Sequence, residues 1–197
     1  MSWNEVEKTK TGGNSFYNLI DGDNKVRLLT DPVRIMKFYD NVTKKSKVAF
    51  EACGYTNEAK PRWLCYVIDR KENKLMLAEF PHSIMKQVLE YKNNPEYEFE
   101  TAPMPYDITI NKKGQKLETE YTVIPARQNT EVEKEFIDEL AKKTSCDEIK
   151  KKWQEKELAN LTLDEEWLKG YEERKQKVDE NKVEYPDDDI NPEDIPF

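Results

Sequence analysis

The sequence predicts a mainly β domain followed by a helical extension and an acidic tail, an α+β chain. Three observations carry this. From Lys25 to Ile124 aromatic and β-branched residues recur with period two between turn signals. After Arg127 the apolar spacing becomes helical and three capping-box patterns appear. From Asn181 onward apolar residues thin out and carboxylates take over. The 197 residues are enough for one well-packed domain with appendages.

Asp21-Gly22-Asp23-Asn24 is a turn. Val26 and Leu28 then flank Arg27, and Val33 to Tyr39 continues the extended pattern past Asp31-Pro32, so the run reads as one long strand broken by a bend. Lys45 to Ala52 is a second strand. Trp63 to Asp69 is a third, with Trp63, Cys65 and Val67 on one face and Leu64, Tyr66 and Ile68 on the other. Both faces are apolar or aromatic, so this strand is either central or has one face reserved for a ligand. Arg70-Lys71-Glu72-Asn73 turns the chain into Leu75 to Phe80, and Pro81 opens a short helix with Ile84, Met85, Val88 and Leu89 at helical spacing. Tyr106 to Asn111 and Leu117 to Val123 form a hairpin across Lys112-Lys113-Gly114-Gln115. About five antiparallel strands with a single helix before the last hairpin suit an OB-fold, a five-stranded barrel, over residues 1–127.

The helical extension spans residues 128–182. Thr130 with Glu133, Ser145 with Glu148, and Thr162 with Glu165 each place a carboxylate three residues after a hydroxyl, announcing three helices. Their apolar stripes are narrow: Val132, Phe136 and Leu140; Ile149 and Trp153; Trp167, Leu168, Tyr171 and Val178. Residues 183–197 are expected to be a flexible, disordered acidic tail.

Charge divides along the chain. Residues 1–127 hold 20 Lys+Arg and 18 Asp+Glu, while residues 128–197 hold 12 and 22, so the acidity belongs to the C-terminal third. A net charge of -8 therefore does not exclude a basic groove in the β-rich part. Cys53, Cys65 and Cys146 are widely spaced and odd in number, as expected of reduced thiols in a cytoplasmic compartment. Together with His82 they lack zinc-ligand spacing, and no metal or cofactor is expected. The chain has no apolar run of membrane-spanning length, and its first residues lack the pattern of an export signal.

Cations and rings interleave through the first two thirds. Arg27, Lys37 and Tyr39; Lys44, Lys45, Lys47 and Phe50; Tyr55, Arg62, Trp63 and Tyr66, with Lys60 beside them; Arg70, Lys112, Lys113 and Tyr121 are the candidate binding residues. This mixture suits single-stranded nucleic acid, because cations follow phosphates while unpaired bases stack on rings irrespective of sequence. Lys112-Lys113 falls where the loop between the last two barrel strands would lie.

The tail carries a second signal. Asp187, Asp188, Asp189 and Asp194 lead into Ile195, Pro196 and Phe197, an apolar tip on a charged leader, which is suited to another protein's basic, apolar-floored pocket. This segment resembles the acidic tip of bacterial and phage single-stranded-DNA-binding proteins, which ends Asp-Ile-Pro-Phe. Asp23-Asn24-Lys25-Val26-Arg27-Leu28-Leu29, Trp63 to Arg70 and Tyr106-Asp107-Ile108-Thr109-Ile110 likewise resemble blocks of phage-type, OB-fold members of that family.

The resemblance implies a sequence-independent single-stranded-DNA-binding protein of DNA replication, recombination and repair that recruits enzymes through its tip and self-associates along DNA. Two other classes stay open: an interaction adaptor built on an OB-like barrel, and a metal-dependent nuclease using Asp107, Glu118 and Glu120 with Lys116. Walker A, GxSxG and HExxH motifs are absent from the sequence.

Overall fold

The computed structural model describes residues 16–40, 45–49, 59–114 and 118–162. Within them the chain is mainly β, one sheet of eight strands with three helices. The strands are β1 (Phe16–Tyr17), β2 (Gly22–Leu28), β3 (Val33–Asp40), β4 (Lys45–Ala49), β5 (Lys60–Asp69), β6 (Lys74–Pro81), β7 (Ile108–Lys113) and β8 (Glu120–Pro125). The helices are α1 (His82–Lys92), α2 (Lys134–Leu140) and α3 (Cys146–Thr162). Thr162, expected to open a third helix of the extension, is the last residue of α3, and residues 163–197, with the rest of that helix and the acidic tail, lie outside the described residues.

β5 organises the sheet. It pairs with β6 from Arg62↔Pro81 to Asp69↔Lys74, with β2 along its C-terminal half and with β3 along its N-terminal half. The bend at residues 29–32 is what lets one extended run serve both halves, as the Asp31-Pro32 signal suggested. Asp31 holds the bend by accepting a hydrogen bond from the Ala102 amide at 3.0 Å. β7 pairs with β2 and β8 with β7, while the two-residue β1 runs parallel to β6 at one edge. Nothing in the sequence pattern signals β1, which is too short to show a period. The expected last hairpin forms with both arms displaced toward the C-terminus, so that Lys112 and Lys113, expected in the turn, end β7. Gly114 turns the chain at φ +81°, where a Cβ would lie 2.3 Å from the Glu118 carbonyl oxygen.

Because β5 is apolar on both sides, it separates two cores. Cys65 and Val67 pack with Val26, Leu28, Phe80, Ile84, Val88 and Ile110 in the inner one. Leu64, Tyr66 and Ile68 join Leu75, Leu77, Phe136, Cys146 and Ile149 in the outer one. α2 and α3 thus spend their narrow stripes on the outer face of β5 and β6.

Two polar clusters tie distant segments together. The Asn24 amide donates to the carbonyls of Ile20 (2.8 Å), Gly22 (2.9 Å) and Ile110 (3.1 Å) and accepts from the Ile20 amide (2.9 Å), fastening the β1–β2 connection to β7. Arg27 is wholly buried. Its Nε meets Asp107 Oδ1 at 2.6 Å, Nη1 donates to the carbonyls of Met104 (3.2 Å) and Thr130 (2.8 Å), and Nη2 donates to the Thr130 hydroxyl. Arg70 shares Asp107 (3.1 Å) and reaches Glu133 at 2.8 Å. Burial pushes the Asp107 carboxyl up, but Arg27 and Arg70 outweigh it and hold the group below its ordinary range.

These contacts correct the capping expectation for α2. Thr130 and Glu133 serve Arg27 and Arg70, and the helix starts only at Lys134 with no side-chain cap. For α3 the expectation holds in part, since the Glu148 amide donates to Ser145 Oγ at 3.3 Å.

Candidate nucleic-acid interface

The expected binding residues separate into four groups. Arg27 and Tyr66 belong to the interior. Arg27 has no exposed surface and its donors are spent on Asp107, Met104 and Thr130; Tyr66 is 2 % exposed and donates its hydroxyl to the Thr144 carbonyl at 2.9 Å. Neither can reach a phosphate or a base. Period two could not have shown this, because both sit on strands buried on both sides. Arg70 is likewise committed, to Asp107 and Glu133.

Lys44, Phe50 and Tyr55 lie outside the described residues.

Trp63 faces the inner side of the sheet. Its ring stacks on His82 at 6.2 Å, and its indole N–H donates to His82 Nδ1 at 3.3 Å. Arg62, one residue earlier, necessarily points the opposite way. The ring and the cation that were expected to share a cradle are on different faces.

The remaining residues come together. On the outer face at the start of β5, Ile35 of β3 stands opposite Arg62 and Lys37 opposite Lys60. Lys37 Nζ lies 2.6 Å from Glu79 Oε2 and 5.6 Å from the Trp153 ring centroid, and Arg62 Nε lies 4.0 Å from Glu79 Oε1. Trp153 also stacks on Phe16 at 6.1 Å. Toward the sheet edge, Arg62, Lys112 and Tyr121 line one concavity of about 290 Å3 with Phe16, Glu79 and Pro81. Lys112 Nζ is 3.1 Å from Asp21, and Lys113 is exposed at the end of β7. On the other side β3 presents Tyr39, 57 % exposed, on the same face as Lys37, whereas the expected cations Lys45 and Lys47, paired with Asp40 and Phe38, point to the opposite face.

The result is a set of cations, Lys37, Lys60 and Arg62, at the start of β5 on its outer face, with Lys112 joining Arg62 at the sheet-edge concavity. Glu79 sits in its middle, between two of the cations. It can hold an extended polyanion, and Tyr39, Trp153 and Tyr121 are the rings beside it. The rest of the outer face of β5 and β6 is sealed by α2 and α3. Trp153 was not among the expected residues because an α3 position meets Lys37 only through the tertiary fold.

Among the described residues the carboxylates of the nuclease reading do not converge, Glu120 standing opposite Lys113 at the far end of β7 from Asp107. Asp107 is taken by Arg27 and Arg70, with Lys25 at 3.5 Å, and Lys116 is outside the described residues. Among the described residues no group of three or more His, Cys, Asp or Glu could hold a metal ion. Cys65 and Cys146 are buried free thiols, and burial raises the pKa of both. No helix of the described residues is long and apolar enough to cross a membrane.

This chain is 30% identical over 105 residues to a protein of Escherichia phage T5 named "Probable ssDNA-binding protein". The match takes in 52% of this chain and 37% of that protein, so the chain spans well under half of its relative's length. No family model matches the chain. No solved structure matches it.

Proposed function

We propose that the chain binds single-stranded DNA without sequence preference along the surface formed by Lys37, Tyr39, Lys60, Arg62, Lys112, Lys113 and Tyr121. The observation that carries this is the convergence of Arg62, Lys112 and Tyr121, from opposite ends of the β-rich region, on one concavity. The partial likeness to the phage T5 protein agrees with it. Cations along such a track would neutralise phosphates and release counterions, and the rings would stack bases of any identity.

The sheet's connectivity supports an OB-type barrel as the carrier: a bent first strand (β2 and β3), β5 and β6 as the second and third, α1 next, then β7 paired back onto β2 and β8 onto β7. In that frame the β3–β4 hairpin and the β7–β8 loop flank the track.

The acidic tip would recruit replication, recombination or repair enzymes, with Ile195, Pro196 and Phe197 entering an apolar pocket and Asp187, Asp188, Asp189 and Asp194 meeting its basic rim. The setting we favour is a phage-infected bacterial cytoplasm, with copies of the chain side by side on DNA. Titration of fluorescent oligo(dT) at rising salt tests the binding. Affinity falling steeply with salt is expected, and no binding at low ionic strength would refute it.

A further inference from the structure

Among the described residues β8 ends the sheet, so one side of its main chain faces no strand. The Ala126 amide donates to the Asp107 carbonyl at 2.8 Å, which assigns the even-numbered residues here to the ladder with β7 and turns the main-chain groups of Tyr121 and Val123 outward. α1 lies along that side. The Gln87 side chain takes the place of a strand: its nitrogen donates to the Tyr121 carbonyl at 2.9 Å, and its oxygen accepts from the Val123 amide at 2.9 Å. The same nitrogen also donates to the Ser83 carbonyl of α1 at 3.1 Å, so both donors and the acceptor are engaged. One turn on, the Tyr91 hydroxyl donates to the Val123 carbonyl at 3.0 Å.

This clasp bears on a ring of the proposed DNA surface. Tyr121 lines the concavity with Arg62 and Lys112. It stands opposite Lys112 in a pair without mutual main-chain bonds, the kind in which facing side chains are closest. Whatever fixes the main chain at Tyr121 therefore fixes its ring beside that ammonium group.

The other side of α1 is separate. There Met85, Lys86 and Leu89 line, with Trp63 and His82, an apolar groove of about 390 Å3, the α1 groove, and Leu89 is 54 % exposed.

We propose that Gln87 is a positioning residue for strand binding: by bonding both the Tyr121 carbonyl and the Val123 amide, it holds the Tyr121 ring ready to stack on a base beside Lys112. Gln87 acts through that ring. A ring left free would have to be ordered by the incoming base, and the lost freedom would offset part of the stacking. This role rests on the concavity being part of the DNA surface.

The test compares wild type, Gln87→Met, Tyr121→Ala, the double variant and Leu89→Ala by oligo(dT) anisotropy on the full chain. Wild type and Gln87→Met are also made with 3-fluorotyrosine at position 121. Methionine keeps the length and helix propensity of glutamine and removes its bonds to β8. Tyr121→Ala should weaken binding about tenfold and Gln87→Met about fivefold, while the double variant should be no weaker than Tyr121→Ala alone. Leu89→Ala should bind as the wild type does. In the free protein Gln87→Met should shift and broaden the position-121 fluorine resonance, which a glutamine that merely stabilised the fold would not do. If circular dichroism shows Gln87→Met unfolded, Tyr91→Phe, which frees only the Val123 carbonyl, should give smaller changes in the same two readings. An unmoved resonance in the folded variant, a loss of affinity that adds in full to that of Tyr121→Ala, or an equal loss in Leu89→Ala would overturn the inference. A wild-type resonance indifferent to oligo(dT) would instead remove Tyr121 from the DNA surface, and the role of Gln87 with it.

Discussion

Glu79→Gln is expected to tighten strand binding, the opposite of what loss of a well-formed ion pair usually brings. Glu79 lies 2.6 Å from Lys37 and 4.0 Å from Arg62, so its charge offsets two of the cations that would face phosphates. A phosphate held by those cations would stand roughly 7 Å from the carboxylate, and at an effective dielectric of about 40 that repulsion is about 1 kcal/mol. Glutamine keeps the shape and removes the charge, so affinity for oligo(dT) should rise about fivefold. Each cation freed for a phosphate should also steepen the log–log salt slope by about 0.7. The cost to folding is that of one partly exposed pair, about 0.2 to 1 kcal/mol, and should appear as a small fall in Tm. Fluorescence anisotropy from 50 to 200 mM salt reads both quantities. Unchanged or weaker binding with an unchanged slope would refute the placement of the DNA over Glu79.

Tyr66→Phe should leave oligo(dT) affinity unchanged and lower stability by about 1 kcal/mol, because it strips a partner from the Thr144 carbonyl; denaturant titration checks this. Asp107→Asn should destabilise by about 3 kcal/mol or more, since it leaves the buried Arg27 without its counter-charge. Asp107 titrates below its unfolded value, so its contribution is complete above the unfolded carboxylate pKa of about 3.9 and is lost as pH falls through the lower folded one. The denaturation midpoint of the wild type should therefore drop below about pH 4 more steeply than that of the Asn variant. Deleting residues 187–197 should leave strand binding intact or tighter, through loss of a tethered polyanion, while abolishing recruitment of partner enzymes in pull-down; weaker strand binding would contradict it.

Local pattern carried much of the fold. The alternation of Trp63, Cys65 and Val67 against Leu64, Tyr66 and Ile68 is realised as two cores on either side of β5, and Ile84, Met85 and Val88 are the buried face of α1. What local pattern could not carry was the use of polar residues at long range. Thr130 and Glu133 have capping-box spacing, yet a buried Arg27 103 residues away and Arg70 claim them, because a buried guanidinium left unpaired costs more than an uncapped short helix.

The candidate site shows the same limit. Its strand-end and hairpin cations were legible as charge clusters. Which face each ring takes was not, since a strand that is apolar on both sides gives no outward direction. Thus Tyr66 went to the core and Trp63 to the α1 groove. The Lys37 contact with Trp153 depends on how α3 crosses the sheet, and nothing local to either residue records that crossing.

The most direct measurement is the salt dependence of oligo(dT) affinity for the wild type and for the Arg62→Ala, Lys112→Ala double variant. Both side chains are at least partly exposed and lie apart from the buried ion network, so the fold should survive the change. With two phosphate contacts removed, the log–log slope should become shallower by about 1.4 and affinity should fall. A variant that binds with the wild-type slope would place the DNA elsewhere, and a wild type that ignores oligo(dT) at low salt would contradict the proposed function itself.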